Sequence, residues 1–464
     1  MSELYYSNYL LEEDTDYFLY IGELKNYGLC AFLQEAMSRI TQRRVGLIAI
    51  VPDVLEQYSY DNLMVINPLW DDYACRFGHN VSCRISSRKF MRCVSESRHV
   101  KELIRLILGT QEQLYIYLYE SLPEMTLDEL PGVSILGPEK RTASRLNSKI
   151  YQFKRFRSLL PIPEGRLCNG WPELRRTTNR LWERWPDGIF ITEEYSAAGG
   201  NSQVAHGPED IDERFRTSHR TFLVNRYMPH SYDPTVLAVV AGEDDVFVAG
   251  VADQRIEGGT RFTGSTFPSV LEDSIQHQLG IYTRRIGREL AREGYRGIFG
   301  CDFIVDTEGN IFFLEVNARK QGTTMEFCCT LEQNLPPGTP TLPELEYYAV
   351  TAGRFPSETQ EMTTNPKHIH WGTYNYKIHH NIHTSGYLPD NRNEREAFQK
   401  LADYHRKKDY LILEHVGSDF IVAEGAFLAR IVSLGKDALS VEQGLNQGLK
   451  TIRTTIDKNI LEEA

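Results

Sequence analysis

The first apolar runs of the chain predict an open α/β unit. Asp16–Glu23 is a compact apolar run, Leu24–Arg43 has helical spacing, and Val45–Val51 is a second apolar run. Leu114–Tyr119 is a third strand candidate. Strand, helix and strand in this order predict an N-terminal α/β domain over residues 1–140. The loop after the first strand has no GxGxxG, so the dinucleotide-binding fingerprint is absent.

The middle of the chain, residues 141–350, is predicted to combine short strands with small-residue loops. The strand Gly188–Thr192 runs into the flexible segment Ser196–Gly200. Further on, Gly300–Asp306 and Asn310–Asn317 are two strands joined by a Glu-Gly-Asn turn. A turn of this kind between alternating runs predicts a β-hairpin.

The tail, residues 351–464, is predicted to be a small C-terminal domain. A Pro-rich break at Pro336–Pro340 precedes it. Three strand-like runs and a last helix follow, at Leu411–His415, Asp419–Ala423, Leu428–Ser433 and Ser440–Asn459.

Composition narrows the class of protein. The 464 residues include 63 acidic and 51 basic side chains, a net charge of −12. An acidic chain argues against general binding of nucleic acid or anionic membranes, which needs surplus Lys and Arg. No apolar run approaches about 18 residues, and no secretory signal is evident. We therefore expect a cytoplasmic protein with reduced cysteines and no membrane span, and the sequence leaves a homodimer open.

The candidate chemistry lies on the predicted hairpin. Asp302 is on its first strand, and Glu315 and Asn317 are two apart on its second strand, so they share a face. Two carboxylates and an amide oxygen suit Mg²⁺. Arg319 is two residues further and can hold an anion with its planar donor fork. The alternative is an ordinary hairpin with acids on its solvated side.

The hairpin segment, Cys301–Gly322, resembles the C-terminal signature of the ATP-grasp ligases. The likeness covers roughly residues 16–350, and its motifs occur in the family's order. Lys149, in Asn-Ser-Lys, resembles the first nucleotide lysine, and Ser196–Gly200 resembles the glycine-rich flap over the phosphates. The hinge that contacts adenine corresponds to Asn225, Arg226, Tyr227 and Met228, and the ribose-binding acid to Asp233.

The resemblance implies an α/β ATP-grasp fold with a Rossmann-like pre-ATP-grasp domain, a lid subdomain at about 185–235 and a small C-terminal domain. It further implies ATP and two Mg²⁺ ions, the metals held by Asp302, Glu315 and Asn317. In the tail, Asp419–Gly435 resembles natural-product members of the pheganomycin-type and butirosin-type ligases.

The activity that the resemblance implies is ligation in two steps. A substrate carboxylate becomes an acyl phosphate, and an amine then displaces the phosphate. Lys149 would steady the phosphates, Ser196, Gly199 and Gly200 would let the flap backbone approach them, and Arg319 would stabilise the transferring group. Two alternatives stay open: transfer to a carrier-protein thiol, and a degenerate protein that binds nucleotide without turnover.

Some positions depart from the family or have two interpretations. Glu193 falls where the family has a second nucleotide lysine, and its carboxylate would repel phosphates unless it turns away. Arg255 is expected either to clamp a substrate carboxylate or to form a structural ion pair. Five of the 13 histidines lie within residues 368–383, where a zinc site is conceivable but polar strand histidines are the main expectation.

Overall fold

The structure is a computed structural model. It describes residues 3–55, 58, 60–72, 85–195, 201–362, 369–378, 382–384, 398, 410–414, 420–422, 425 and 427–459. Within these ranges, no helix is both long and apolar enough to cross a bilayer.

A six-stranded sheet forms the N-terminal part. Its strands are β1 (Leu4–Asn8), β2 (Thr15–Ile21), β3 (Arg44–Val51), β4 (Leu63–Ile66), β5 (Leu114–Leu118) and β6 (Val133–Leu136). Its order is β1-β4-β3-β2-β5-β6, and β1 alone runs antiparallel to its neighbour. The helices between its strands are α1 (Leu29–Thr41), α2 (Ser87–Glu96) and α3 (Arg98–Leu108), with a 3₁₀ turn at Leu24–Asn26.

Helices cover both faces of this sheet, as the long buried runs of β2 and β3 require. Phe18 and Tyr20 pack in one core with Phe32 of α1, whereas Leu19 packs in a second core with Leu103 of α3. The chain order reverses between β2 and β5, so a ligand crevice is expected at the carboxyl ends of those two strands. The predicted strands β2, β3 and β5 and the helix α1 are present, whereas β1 and β4 escaped the sequence pattern.

A small antiparallel sheet follows. Its strands are β7 (Gly165–Asn169), β8 (Ile189–Glu193), β9 (Ser202–Ala205) and β10 (Thr221–Arg226), in the order β7-β10-β8-β9. The helices of this region are α4 (Lys140–Leu146), α5 (Lys149–Phe156), α6 (Gly170–Leu181) and α7 (Glu213–Arg216), with 3₁₀ turns at Leu127–Glu129 and Pro208–Asp210. Trp185, Ile191 and Phe222 belong to a separate small core here. The small sheet therefore has a hydrophobic core of its own.

An eight-stranded antiparallel sheet carries the rest. Its strands are β11 (Pro234–Val240), β12 (Val246–Glu257), β13 (Arg261–Phe267), β14 (Gly297–Val305), β15 (Ile311–Asn317), β16 (His370–Lys377), β18 (Tyr410–Glu414) and β20 (Phe427–Gly435). Two further strands, β17 (Ile382–Thr384) and β19 (Phe420–Val422), form a separate two-stranded antiparallel sheet. The helices are α8 (Asp273–Arg292), α9 (Thr324–Asn334), α10 (Leu342–Thr351) and α11 (Ala438–Asn459).

The tail joins the central sheet directly. The strand order is β15-β14-β11-β12-β13-β16-β20-β18, so strands from beyond residue 351 continue the sheet that holds the predicted hairpin. The join is tight: a Cβ added at Gly264 of β13 would lie 2.0 Å from the carbonyl oxygen of Thr373 on β16. Side chains from the tail can therefore face the same side of the sheet as those of the hairpin.

One buried ion pair ties three parts of the fold together. Lys320, just after β15, donates to Glu346 Oε1 on α10 at 2.7 Å and to the carbonyl oxygen of Leu118 at the end of β5 at 2.9 Å. Its ammonium also lies 4.0 Å from the ring centroid of Tyr117. The two charged side chains are only 3% and 1% exposed.

Replacing Lys320 with Met should therefore destabilise the protein by about 3–5 kcal/mol, because Glu346 is left charged and buried without its partner. Changing Glu346 to Leu as well should recover much of the loss. Urea unfolding of the three proteins measures this.

The matched control is Arg261→Met. This residue forms an exposed pair with Glu257, and its loss should cost less than about 1 kcal/mol. A Lys320→Met protein that unfolds at the wild-type urea concentration would show that the buried pair does not stabilise the fold.

Candidate active site

A cavity of about 680 Å³ opens where the sheets meet. It falls in the size range of small-molecule sites. Its walls come from the loop after β2, the lid strands, the hinge after β10, the hairpin β14–β15 and the tail strands β16 and β20. The sequence-predicted residues that line it are Lys149, Asn225, Arg226, Tyr227, Met228, Asp233, Asp302, Glu315, Asn317 and Arg319.

The hairpin brings its acids together as the alternation predicts. Asp302 and Glu315 are directly opposed Cα partners on β14 and β15. Asn317 Nδ2 donates to Asp302 Oδ2 at 2.8 Å, and Thr235 Oγ1 donates to Asp302 Oδ1 at 2.7 Å. Lys149 forms an ion pair with Glu315. These groups form one hydrogen-bonded cluster at a wall of the cavity.

Burial dominates the electrostatics of this cluster. It raises the pKa of Asp302, while the hydrogen bonds from Thr235 and Asn317 lower it. Burial lowers the pKa of Lys149 to about 8, against the opposing attraction of Asp302, and the nearby Arg319 cation lowers it further. Burial therefore disfavours the charged forms of both Asp302 and Lys149. A bound cation would stabilise the first, and an anionic ligand would stabilise the second.

The donor set fits a hard cation. Two carboxylates and an amide oxygen are ligands that Mg²⁺ accepts, with phosphate and water oxygens completing the shell. Asn317 Oδ1 accepts a hydrogen bond from Arg319 Nη2 at 2.9 Å, which leaves its second lone pair for a cation. Across the described ranges, no group of three or more His, Cys, Asp or Glu side chains forms a metal site.

Two amide side chains clamp the backbone that carries this cluster. Asn147 Oδ1 accepts from Ala318 N at 3.1 Å, and its Nδ2 donates to Glu120 at 2.8 Å. Gln152 Oε1 accepts from Val316 N at 2.6 Å, and its Nε2 donates to Val316 O at 2.8 Å. Gln152 escaped the sequence reasoning, since a buried glutamine within a helix has no distinctive pattern.

Lys149 stands at the start of a helix. The helix α4 ends at Leu146, and α5 begins at Lys149. Ser148 caps α5 by accepting from Tyr151 N at 3.1 Å, and it donates to Glu194 at 2.6 Å. The cap fixes the direction in which Lys149 leaves the helix.

The hinge residues lie at the end of β10 and line the same cavity. Asn225 Oδ1 is buried without a hydrogen-bond partner. Beyond the hinge, His230 Nδ1 bonds the carbonyl oxygen of Met228 at 2.7 Å, and Nε2 bonds Asp233 Oδ1 at 3.0 Å. Both partners are acceptors, which favours the protonated ring, and the hydrogen bond to Asp233 raises the pKa of His230. The sequence reasoning missed this histidine.

Glu193 does not point into the cavity. Phe190 and Thr192 are the β8 residues that line it, and alternation turns Glu193 to the other face, where it pairs with Arg220. The expected repulsion of phosphates by this carboxylate therefore does not arise.

Arg255 is absent from the cavity wall. Its neighbours Gln254 and Ile256 line the cavity, whereas Arg255 is ion-paired with Glu442 of α11. This is the structural pair that the sequence left open, and the role of Arg255 as a substrate clamp stays a prediction.

Some predicted residues lie outside the described ranges. These are the flap residues Ser196, Gly199 and Gly200 and the histidines His368, His379 and His380. His370 begins β16 and His383 lies on β17, so the structure does not test the histidine cluster.

Comparison with known families decides the identity of the central region. Residues 147–323 match the model of the ATP-grasp domain. This stretch of the chain is an ATP-grasp domain. The match begins at the asparagine beside Lys149 and ends just after the Glu315–Arg319 segment, so it spans the hinge, the metal-binding candidates and the strand that carries Arg255.

Curated relatives are similar over parts of their length. The butirosin acyl-carrier protein–L-glutamate ligase of Niallia circulans is 23% identical over 232 residues, 46% of this chain and 54% of that protein. The L-propargylglycine–L-glutamate ligase of Streptantibioticus cattleyicolor is 28% identical over 124 residues, 26% of this chain and 25% of that protein. The chain thus spans about half or less of the length of these relatives.

Solved structures show the fold. The biotin carboxylase domain of the Hydrogenobacter thermophilus 2-oxoglutarate carboxylase, solved with MgADP and bicarbonate, has a TM-score of 0.62 and 12% identity. The match covers 93% of this chain and 89% of that one. The likeness extends beyond the ATP-grasp domain to both flanking regions, and the predicted α/β ATP-grasp fold is confirmed.

Proposed function

We propose that this chain is an ATP-dependent ligase that activates a carboxylate as an acyl phosphate and joins it to an amine. The observation that carries the proposal is the convergence of Lys149, Asp302, Glu315, Asn317 and Arg319 on one cavity that the ATP-grasp hinge also lines. The ligand-bound state of the similar structure supports ADP and Mg²⁺ as occupants.

Each residue has a physical role in this proposal. The hinge, Asn225–Met228, holds the adenine, and Asp233 holds the ribose. Lys149 neutralises phosphate charge, and Asp302, Glu315 and Asn317 hold magnesium, which would supply the remaining positive charge. Ser196, Gly199 and Gly200 would close over the phosphates.

Arg319 acts on the reacting groups. The substrate carboxylate oxygen bonds to the γ-phosphorus while the bond from phosphorus to the β-phosphate oxygen breaks, and ADP leaves. The amine nitrogen then bonds to the acyl carbon, phosphate departs with the electron pair of the broken C–O bond, and the amine loses a proton. Arg319 stabilises the negative charge that develops in both steps. Arg255, which lies outside the cavity wall, stays a second-ranked candidate for substrate binding.

Acylation of a carrier-protein thiol is a second candidate, favoured by the name of the butirosin relative. In both relatives the named acid is L-glutamate, which makes it the first acid to test. The third alternative, a protein that binds nucleotide without turnover, was motivated by Glu193. The orientation of Glu193 away from the cavity removes that charge conflict and argues against this alternative.

Glu315→Gln should reduce ADP formation by about 100-fold or more while the protein stays folded, because the amide cannot carry the charge that magnesium requires. ADP release with Mg²⁺, L-glutamate and mixed amines is the measurement. Glu308→Gln, in the exposed turn of the same hairpin, is the control and should keep wild-type turnover. Near-normal turnover of Glu315→Gln would refute the metal assignment.

Nucleotide affinity should fall as the pH rises above about 8, because phosphates bind the protonated form of Lys149 and burial lowers its pKa to about 8. Calorimetry of ADP binding across that range should show proton uptake above pH 8. Lys149→Arg, which stays charged, should bind ADP with a flat pH profile there. Identical profiles for the two proteins would contradict the role of Lys149.

The acceptor can be identified by two parallel reactions and a measurement of nucleotide binding. We expect ADP to form with L-glutamate and a free amine alone. ADP formation only in the presence of a phosphopantetheinyl carrier protein would establish the second candidate. Nucleotide binding with no ADP in either reaction would overturn the ligase proposal.

A further inference from the structure

Besides Asp302 and Glu315, the cavity is lined by residues of β12, β13, β16 and β20, which form one of its walls. Gln254 and Ser265 are opposed Cα partners on β12 and β13, and Asn375 and Arg430 are opposed on β16 and β20. Opposed residues share a face of the sheet, and all four line the cavity. The tail therefore supplies part of the wall that a substrate would contact.

Arg430 is fixed in this wall but keeps an unused donor. Its Nη2 donates to the carbonyl oxygen of Gly322 at 2.5 Å and to Glu326 Oε1 at 2.5 Å. Its Nε is buried and has no hydrogen-bond partner. The guanidinium side chain is 13% exposed. A planar donor held in place with its Nε–H unspent is suited to a carboxylate.

Two buried hydroxyl groups that line the same cavity as Arg430 are also unpaired. Ser265 Oγ and Thr323 Oγ1 are buried without hydrogen-bond partners, in side chains that are 0% and 3% exposed. A buried hydroxyl without a partner is destabilising, and a ligand oxygen would relieve that cost. Thr323 occupies the N-cap position of α9 without capping it, so the positive end of that helix also opens here.

These groups are close to one another. Gly322, whose carbonyl Arg430 contacts, directly precedes Thr323 and would place a Cβ 3.8 Å from the ring of Phe262 on β13. Ser265 is on the same strand, and its N–H donates to Thr373 Oγ1 on β16 at 2.9 Å. The loop after Arg319 thus crosses the strands that carry Ser265 and Arg430.

The charges around this wall favour an anion. Glu326 is buried behind Arg430 and neutralises part of its charge. Lys25, which pairs with Glu23, and Lys377 also line the cavity, and the Lys25 ammonium lies 5.9 Å from the ring centroid of Phe427 on β20. Among the residues that the structure describes, the two acids at this wall, Glu23 and Glu326, are each paired with a cation, and the helix terminus adds positive character.

We infer that Ser265, Thr323 and Arg430 bind the non-reacting carboxylate of a short dicarboxylic amino acid whose other carboxylate is activated beside Arg319. The inference rests on the proposed ligase function. Gly322 follows Arg319 by three residues, so the Cα atoms of Arg319 and Gly322 lie at most about 10–11 Å apart. A diacid short enough to bridge two neighbouring arginines is therefore the expected ligand, and the three residues set the specificity for it.

The test compares Arg430→Met with wild type on three dicarboxylic amino acids: L-aspartate, L-glutamate and L-2-aminoadipate. For the preferred acid, KM should rise about 10- to 100-fold, the loss expected for a charged hydrogen bond, while kcat and ADP affinity change little. Ser265→Ala should raise KM in the same direction by a smaller factor. Arg261→Met, an exposed ion-paired arginine on β13, should leave KM unchanged.

The two mono-amides of the preferred acid separate anchoring from activation. One lacks the reacting carboxylate and should not support ADP formation. The other lacks the anchored carboxylate, and its KM should already be high in the wild type and insensitive to Arg430→Met. An equal rise in KM for the diacid and this mono-amide, or no rise for either, would overturn the inference.

Further variants and a binding measurement distinguish a folding defect of Arg430→Met, or a failure of the ligase proposal, from a failure of the anchoring site. If Arg430→Met unfolds, Arg430→Lys and Ser265→Ala carry the same test. If no acid supports ADP formation, the ligase proposal fails, and calorimetry with the same three acids and ADP decides the anchoring site. Binding that Arg430→Met weakens supports the site, and no binding of any diacid by the wild type refutes it.

Discussion

The opposed pair of Asp302 and Glu315 on β14 and β15 is the constraint on which the candidate site depends. Burial disfavours the charged form of Asp302, so this carboxylate depends on the cations and hydrogen-bond donors around it. Thr235, Asn317 and Lys149 supply part of that compensation within the protein. The remainder is what magnesium and ATP would provide, which is why a stable hairpin and a reactive site coincide here.

The surrounding structure holds this pair in place. Asn147 and Gln152 grip the backbone on either side of Asn317, and Lys320 anchors the next residues to α10 and β5. These contacts come from three separate regions of the chain. The geometry of the site therefore depends on the packing of the whole fold and cannot belong to the hairpin alone.

The continuity of the large sheet has a second consequence. Because β16 and β20 extend from β13, the tail places Arg430 in the cavity wall, opposite the loop after Arg319. The N-terminal sheet closes the same end through Lys25 and the carboxyl end of β2. A substrate bound there would touch all three parts of the chain, so the specificity can change in the flanking regions while the ATP-grasp domain keeps its chemistry.

Period-two alternation and a turn signal in the sequence were enough to place Asp302, Glu315 and Asn317 on one face, because strand geometry is local. The resemblance extended this to Lys149 and the hinge. What lies across the sheet was decided by tertiary structure alone: Glu193 turns toward Arg220, and Arg255 pairs with Glu442 while Arg430 enters the cavity. Two arginines on strands look alike in a sequence, since which face of a strand meets a cavity depends on partners far away in the chain.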